Sequence, residues 1–328
     1  MVIENISITV YPRLHLSLLD LSKNGYRRNG GVGFSIDTPL STLRFEASAV
    51  TDLKELRQVA FSEAEVDKLA DRIERIKTEQ GLTFTIRLKS VTPFFRHSGL
   101  GSGTAICLSC VESLFLVNGQ HAERKKLQML SGRGGVSGIG LNVYFDGGLV
   151  CDLGRSTHSE PFIPSDAIDY PSELPLSLVA LPMPDWDIGI LIPGNINPLT
   201  LEQEIDLFSR TCPLPAQSAY ETVYHAIFGV VASVIGHSKV QFASAVCALQ
   251  DCKWKAGEIR SYGTQILSYI TTLKQLGCDA VGMSSVGPAL FFLAEDFDRM
   301  YSSLASRFPS DLLIHTRPRN RGRDIYFD

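Results

Sequence analysis

The residues best equipped for chemistry sit in glycine-dense stretches. "GLGSGTA" (99–105) alternates glycine with small hydroxyl residues, then runs into an apolar segment that stops at Asn118-Gly119. That pattern reads as a loop feeding a helix. Free N–H groups at a helix start, with glycines before them, make an anion site. The helix dipole adds about 0.3–1 kcal/mol for a nearby phosphate. Gly99, Gly101 and Gly103 would let the backbone approach, and Ser102 and Thr104 can bond a phosphate or Mg²⁺. A lone glycine motif is a weak signal, and a turn with no ligand is the competing reading. Three further segments strengthen the first: "SGRGGVSGIG" (131–140) with Arg133 and Ser137, "GMSSVGP" (282–288) with Ser284 and Ser285, and "RRNGGVG" (27–33). Four such segments suggest several backbone walls around one polyanionic ligand.

Two common phosphate-binding patterns are excluded. No Lys-Ser/Thr closes a GxxxxGK[ST] loop. A dinucleotide turn follows a strand buried on both faces. Here the preceding strand, "TFTIRLK", sets Phe84, Ile86 and Leu88 against Thr85, Arg87 and Lys89, which describes a sheet with one wet face.

"PRLHLSLLDL" (12–21) supplies a second polar set. On a regular strand Arg13, His15 and Ser17 share one face and Leu14, Leu16 and Leu18 the other. An arginine can grip a phosphate or carboxylate in a forked contact, and a histidine can steer a proton. Asp20 could orient Arg13 or approach Mg²⁺. From the residues alone, an amphipathic edge strand with a solvated face fits equally well. Cys107 and Cys110 make a CxxC. With no second pair and no histidines at finger spacing, they read as two small apolar residues inside a helix.

The elements that must carry these residues come next. A chain of 328 residues is long enough for two domains and buries roughly 75% of its unfolded surface. A proline-rich stretch, "RSTHSEPFIPSDAIDYPSELPLS", marks the best boundary, giving domains 1–165 and 166–328. Beyond it, two short strands in "LSLVALPMPDWDIGILIP", helices near 217–235 and 256–276, a glycine loop with a strand in "AVGMSSVGPALFFLA", a helix over 296–307 and a strand over 311–316 are expected. Helix and strand patterns mix without regular alternation, so the fold class is α+β. The net charge of −4 offers no basic field for nucleic acid. The basic tail "TRPRNRGRDIYFD" is the one charge cluster, and a solvated terminus is its competing reading. The N-terminus lacks a signal-peptide pattern, and stretches such as "AIFGVVASVIG" are too short to span a bilayer. Seven cysteines without a framework fit a reducing compartment. A soluble, cytoplasmic protein with no membrane or nucleic-acid partner is expected, and a homodimer is left open.

The motifs together resemble a known group. "GLGSGTA" resembles the phosphate loop of the GHMP small-molecule kinase superfamily, "SGIGLNVYFDGG" its second motif and "GMSSVGP" its third. With "PRLHLSLLDL", "RRNGGVG", "GRGGVSGIG", "FDGGLVCDLG", "TCPLP" and "TRPRNRG", the chain is more specifically similar to the β-ribofuranosylaminobenzene 5′-phosphate synthase family and to related C-nucleoside synthases. The resemblance implies a two-lobed GHMP-kinase-like fold, with an N-terminal lobe like ribosomal protein S5 domain 2 and a ferredoxin-like C-terminal lobe. It implies that phosphoribosyl pyrophosphate (PRPP) is joined to an aromatic carboxylate with loss of CO2 and pyrophosphate, and that Mg²⁺ accompanies the pyrophosphate. Arg13, His15 and Asp20 would then be the catalytic set. Gly99, Gly101, Ser102, Gly103, Thr104, Arg133, Ser137, Ser284 and Ser285 would bind PRPP. An ATP-dependent GHMP-type kinase is the alternative, and a ligand-binding protein on an inactive fold a third reading. The kinases' second motif runs S-G-x-D and supplies a catalytic carboxylate. Here Gly140 stands in that place, and a missing base costs about 10²–10⁴ in rate. Asn29, where the family often has an acid, and Val286, where it often has an aromatic, depart from the pattern and bear on which acceptor is used.

Overall fold

The computed structural model describes residues 4–23, 25–59, 61–92, 98–156, 161–168, 170–308 and 312–327. The first half runs β1 (Asn5–Val10), β2 (Arg13–Asp20), β3 (Asn29–Ser35), β4 (Ser41–Ser48), α1 (Glu63–Glu79), β5 (Thr85–Val91), α2 (Ser102–Val117), α3 (Arg124–Leu130), α4 (Ile139–Asp146) and β6 (Leu149–Asp152). The second half runs β7 (Ser177–Leu181), β8 (Ile188–Ile192), α5 (Leu201–Thr211), α6 (Ala216–Tyr224), a π-helical turn His225–Val231 continuing into α7 (Ala232–Ile235), α8 (Lys239–Asp251), α9 (Lys253–Arg260), α10 (Gly263–Gln275), β9 (Ala280–Met283), β10 (Leu290–Leu293), α11 (Phe297–Arg307), β11 (Leu312–Thr316) and β12 (Asp324–Phe327).

Among the described residues the strands make three four-stranded antiparallel sheets, ordered β12-β1-β4-β5, β2-β3-β6-β7 and β11-β8-β10-β9. In the last, β8, β9, β10 and β11 take the order fourth-first-third-second, with helices between the first two and α11 between the last two. This is the ferredoxin-like arrangement. The chain crosses the expected boundary between residues 165 and 166 twice. β7 pairs with β6, and β12 pairs with β1 in the register Ile6 to Phe327.

β5 has the expected wet face: Ile86 and Leu88 are buried, Arg87 and Lys89 exposed. The helix after the glycine loop runs to Val117 and is enclosed nearly all round, with Ile106, Val111, Leu114 and Phe115 in a core shared with β1, β4 and α1. Each such fully buried side chain contributes about 1.5–3 kcal/mol, so the start of α2 cannot drift. Cys107 and Cys110 sit in this helix as free thiols. A second core joins Leu14, Leu16 and Phe34 of the middle sheet to Phe242 and Val246 of α8 and to Ile190 and Phe291 of the ferredoxin-like sheet. That shared core holds the two lobes together and fixes the middle sheet against the last one.

Several elements differ from expectation. α1, α5 and α8 were not anticipated, although α1 and α5 each carry a capping box, Ser62 with Glu65 and Thr200 with Gln203. The stretch 256–276 is two helices, broken around Ser261-Tyr262. The apolar stretch "AIFGVVASVIG" belongs to one helix, Ala216–Ile235, that is long and apolar enough by length and composition to cross a membrane. Its Ala226, Val230 and Val234 pack into the second core.

Candidate active site

A cavity of about 260 Å³ opens between β2, the start of α2, the loop before α4, the short helical turn Ser165–Ala167 and helices α5 and α9. The first turn of α2 points into it, through Gly99–Thr104. Gly101 is the N-cap, at φ +82°, a left-handed backbone that glycine adopts without strain. Arg13 lies across it, and a Cβ at Gly101 would fall 2.9 Å from Arg13 Cγ. Arg13 holds the loop twice: its backbone N–H donates to Leu100 O (3.0 Å) and its Nη1 to Gly99 O (2.6 Å). Burial, and then the nearby Arg133, pull the Arg13 pKa down to about 10, so it stays a cation at neutral pH. Arg133 divides its guanidinium between Thr104 Oγ1, to which Nε donates (3.2 Å), and the carboxylate of Asp166, ion-paired through Nη1. Arg13, Arg133 and a helix N-terminus thus face one cavity, whose lining also includes Lys68 and Arg72.

The third glycine-rich segment supports this loop. Ser284 is fully buried, and its Oγ donates to Gly99 O (2.7 Å) while accepting from His15 N–H (3.1 Å). Its hydroxyl is spent joining β2 to the phosphate loop, and it does not line the cavity. Ser285 and Val286 do. Ser285, at φ +53°, is pinned on both sides, its N–H donating to His15 O (2.9 Å) and its carbonyl accepting from Lys255 Nζ (2.7 Å). Tyr262 holds the next carbonyl, its hydroxyl donating to Val286 O at 2.7 Å.

His15 lies 3.3 Å (Nε2) from Ser137 Oγ, and Ser137 Oγ donates to Asp152 Oδ2 at 3.3 Å. Asp152 is fully buried and also accepts from Gly138 N–H and Gly154 N–H. Burial raises its pKa to about 7 against those hydrogen bonds. With Asp152 ionised, Ser137 gives it its proton and accepts from His15 Nε2–H, leaving Nδ1 with the lone pair. Burial, followed by Arg13 and Lys255, holds the His15 pKa well below its usual value. The imidazole is therefore neutral at physiological pH.

β2 departs from simple alternation. The register slips between His15 and Ser17, where a bulge inserts Leu16. Arg13, His15 and Leu18 face the cavity, while Leu14, Leu16 and Leu19 face the second core. Ser17, expected beside Arg13 and His15, is buried and donates to Leu18 O. Asp20 sits at the far end of the strand, seven residues from Arg13, and its Oδ1 accepts from the Ser22 N–H and hydroxyl. It neither reaches Arg13 nor lines the cavity. "RRNGGVG" is also not a wall: its residues from Asn29 onward form β3, one layer back. Gly31 gives room there, since a Cβ would lie 2.8 Å from His15 Nε2 and 2.9 Å from Ser137 Oγ.

Acidic residues missed in the sequence complete the cavity: Asp166, Glu204 of α5 and Glu258 of α9. Burial, with Asp166 and Glu258 adding to it, raises the Glu204 pKa to about 8. Glu258 is buried and ion-paired to the fully buried Lys255 at 2.5 Å. Burial pushes Glu258 upward, and Lys255 opposes it. α5 and α9 are brought to the cavity by packing from the other half of the chain, a placement no local pattern reports. The "FDGGLVCDLG" segment did point toward Asp152. Gly140 lines the cavity beside Thr104, where the kinase motif would place its carboxylate.

No known family profile matches the chain. Three curated proteins do, all of them β-ribofuranosylphenol 5′-phosphate synthases. A β-ribofuranosylphenol 5′-phosphate synthase of Archaeoglobus fulgidus is 29% identical, over 95% of this chain and 97% of its own length. One of Methanothermobacter thermautotrophicus is 28% identical, over 98% of each. The similarity to these synthases spans nearly the whole of both chains. Among solved structures, homoserine kinase from Cytophaga hutchinsonii superposes with a TM-score of 0.67 at 15% identity, covering 98% of both chains. The fold is that of the GHMP kinases, as the motifs implied, while the sequence kinship runs to the ribofuranosylphenol phosphate synthases.

Proposed function

We propose that the chain is a C-ribosyltransferase that joins the ribose 5-phosphate of PRPP to an aromatic or heteroaromatic carboxylic acid, releasing CO2 and pyrophosphate. The observation that carries this is the pairing of an anion-binding helix start with Gly140. The GHMP phosphate loop, Arg13 and Arg133 are present, but the kinase carboxylate is not. The full-length kinship to named ribofuranosylphenol phosphate synthases supports the same reading.

In this reaction the bond from the anomeric carbon to pyrophosphate breaks, its electrons leaving with pyrophosphate. Positive charge builds on the ribose ring, as in glycoside hydrolysis. The N–H groups of the α2 start, the Ser102 and Thr104 hydroxyls and the two arginines stabilise the departing anion. The acceptor carbon that bears the carboxylate forms the new C–C bond. Its bond to the carboxylate then breaks, returns its electrons to the ring and releases CO2, so no proton leaves that carbon. His15, neutral and held through Ser137 and Asp152, bonds a polar group of the acceptor. Mg²⁺ would be held mostly by the pyrophosphate oxygens and water, at the side of the cavity lined by Asp166, Glu204 and Glu258. When bound, it offsets the charge of the pyrophosphate.

The test is incubation with PRPP, Mg²⁺ and a panel of aromatic carboxylic acids, with pyrophosphate, CO2 and C-riboside quantified together. One of each per turnover is expected. An acceptor carrying hydrogen in place of the carboxylate should react at least about 10²-fold more slowly, because Gly140 stands where the kinase motif would supply a base and His15 is the one clear candidate left. Equal rates for the two acceptors, or phosphoryl transfer from ATP with no reaction of PRPP, would overturn the proposal.

A further inference from the structure

Outside the cleft, one group of side chains among the described residues is arranged as a ligand set. Glu221 of α6, His225 at the first residue of the π-helical turn, and Cys252 between α8 and α9 place a carboxylate oxygen, a ring nitrogen and a sulfur all within 4.8 Å of one another. None of the three lines the active-site cavity. Glu221 and His225 are four residues apart and so share a helix face. The π turn starts at His225, and such irregular turns inside helices often accompany functional sites. Cys252 is the N-cap of α9, in an extended conformation, and its thiol is buried against the same surface.

We propose that these three residues bind a zinc ion that fastens the start of α9 to α6. Sulfur, imidazole nitrogen and a single carboxylate are a borderline-soft donor set, suited to Zn²⁺ and poor for Mg²⁺ or Ca²⁺. Tetrahedral bonds of about 2.0–2.3 Å put ligand atoms about 3.3–3.8 Å apart, so side-chain rotations of about 1 Å close the site. The Cys252 proton, now donated weakly to Ala248 O at 3.4 Å, leaves to solvent when the metal binds. Glu221 is exposed, so a water completes the fourth position. Lys255 and Glu258 follow three and six residues after Cys252, and Lys255 holds the Ser285 carbonyl. Fastening the head of α9 therefore steadies a wall of the active site without touching its ligand.

The full chain, stripped with a chelator and dialysed against equimolar Zn²⁺, should retain one zinc per chain. Cobalt in its place should show a thiolate-to-metal absorption band. Cys252→Ser and His225→Ala should each weaken retention at least about tenfold, Glu221→Gln by less, and Cys278→Ser, at a different surface, not at all. Amide exchange in the first turn of α9 should slow on loading. Zinc retained equally by Cys252→Ser, no zinc retained by the wild type, a cobalt spectrum without the thiolate band, or unchanged exchange in α9 overturns the proposal. The cobalt spectrum of the wild type decides the ligand set even where a variant fails to fold.

Discussion

Two arginine groups look alike in the sequence and differ in what surrounds them. In the C-terminal segment, Arg319 has a 2% exposed side chain and bonds Asp37, both oxygens of Asp324 and the Gly322 carbonyl, with its guanidinium 3.3 Å over the Tyr11 ring. Arg323 donates to Glu112, which also accepts from the Tyr144 hydroxyl. In the cleft, the Arg13 guanidinium donates to the Gly99 carbonyl and is pushed by a second cation. Arg133 meets a hydroxyl and a carboxylate that is 46% exposed on its side chain. The tail that reads as a basic surface or a solvated end is so only in part: Arg317 and Arg321 stay exposed. The charges of Arg319 and Arg323 are neutralised internally and tie the segment before β12 to Asp37 and to α2. What marks an anion site is positive charge left over after the protein's own acids are satisfied, beside N–H groups that point outward.

The comparison can be broken most forcefully at Arg319. Arg319→Ala should cost about 3 kcal/mol of stability, the low end for breaking a buried ion pair because Asp37 is half exposed. PRPP affinity of the folded fraction should not change. Chemical denaturation alongside calorimetry on the same preparation checks both halves, and a loss of ligand affinity at full stability would reverse the assignment. Arg13→Ala should do the opposite. PRPP binding should weaken by about 1.5–3 kcal/mol, the range for a charge-assisted hydrogen bond, and Arg13→Lys should recover only part of it because an ammonium cannot form the fork. Unchanged affinity in a well-folded variant would take Arg13 out of the site.

Glu204 sharpens the cleft side of the comparison through pH. Its folded pKa of about 8 exceeds the ordinary 4.5, so between those values the folded chain holds a proton that the unfolded chain has released. Stability from this group is greatest below about 4.5, declines as pH rises to about 8 and is flat beyond. Glu204→Gln should therefore match the wild type near pH 4 and exceed it near pH 9. Denaturation midpoints at the two values measure this, and a constant offset across the range would count against a buried, crowded carboxyl. The smallest effect is expected at Cys107. Cys107→Ala should leave stability within about 0.5–1 kcal/mol, since a half-buried small residue is being trimmed. It should also leave activity insensitive to reductant. A reductant-dependent rate in the wild type, lost in the variant, would revive a redox role for the CxxC.

Local signals carried a good deal of this molecule. Glycines at 99, 101 and 103 ahead of an apolar run are enough to announce a loop and a helix start, because only backbone freedom and helix periodicity are involved. The wet face of β5 was legible for the same reason, through Arg87 and Lys89. Gly140 in the S-G-x-D position already weighed against the kinase reading. The capping boxes at Ser62 and Thr200 were equally local and would have revealed α1 and α5.

Tertiary structure decided the rest, because it depends on contacts between residues far apart in the chain. The bulge at Leu16 turns Ser17 away from Arg13 and His15, and strict alternation cannot foresee an extra residue that the pairing with β3 imposes. Ser284 could have faced a phosphate, yet its hydroxyl joins the Gly99 carbonyl to the His15 amide across nearly the whole chain. Glu204 and Glu258 became cavity residues only when α5 and α9 packed beside β2, and their altered pKa values are products of that burial. Spacing and residue type sufficed to place a glycine loop and its free N–H groups at the start of α2. Which side chains stand beside them was settled by the distant elements that folding brought within reach.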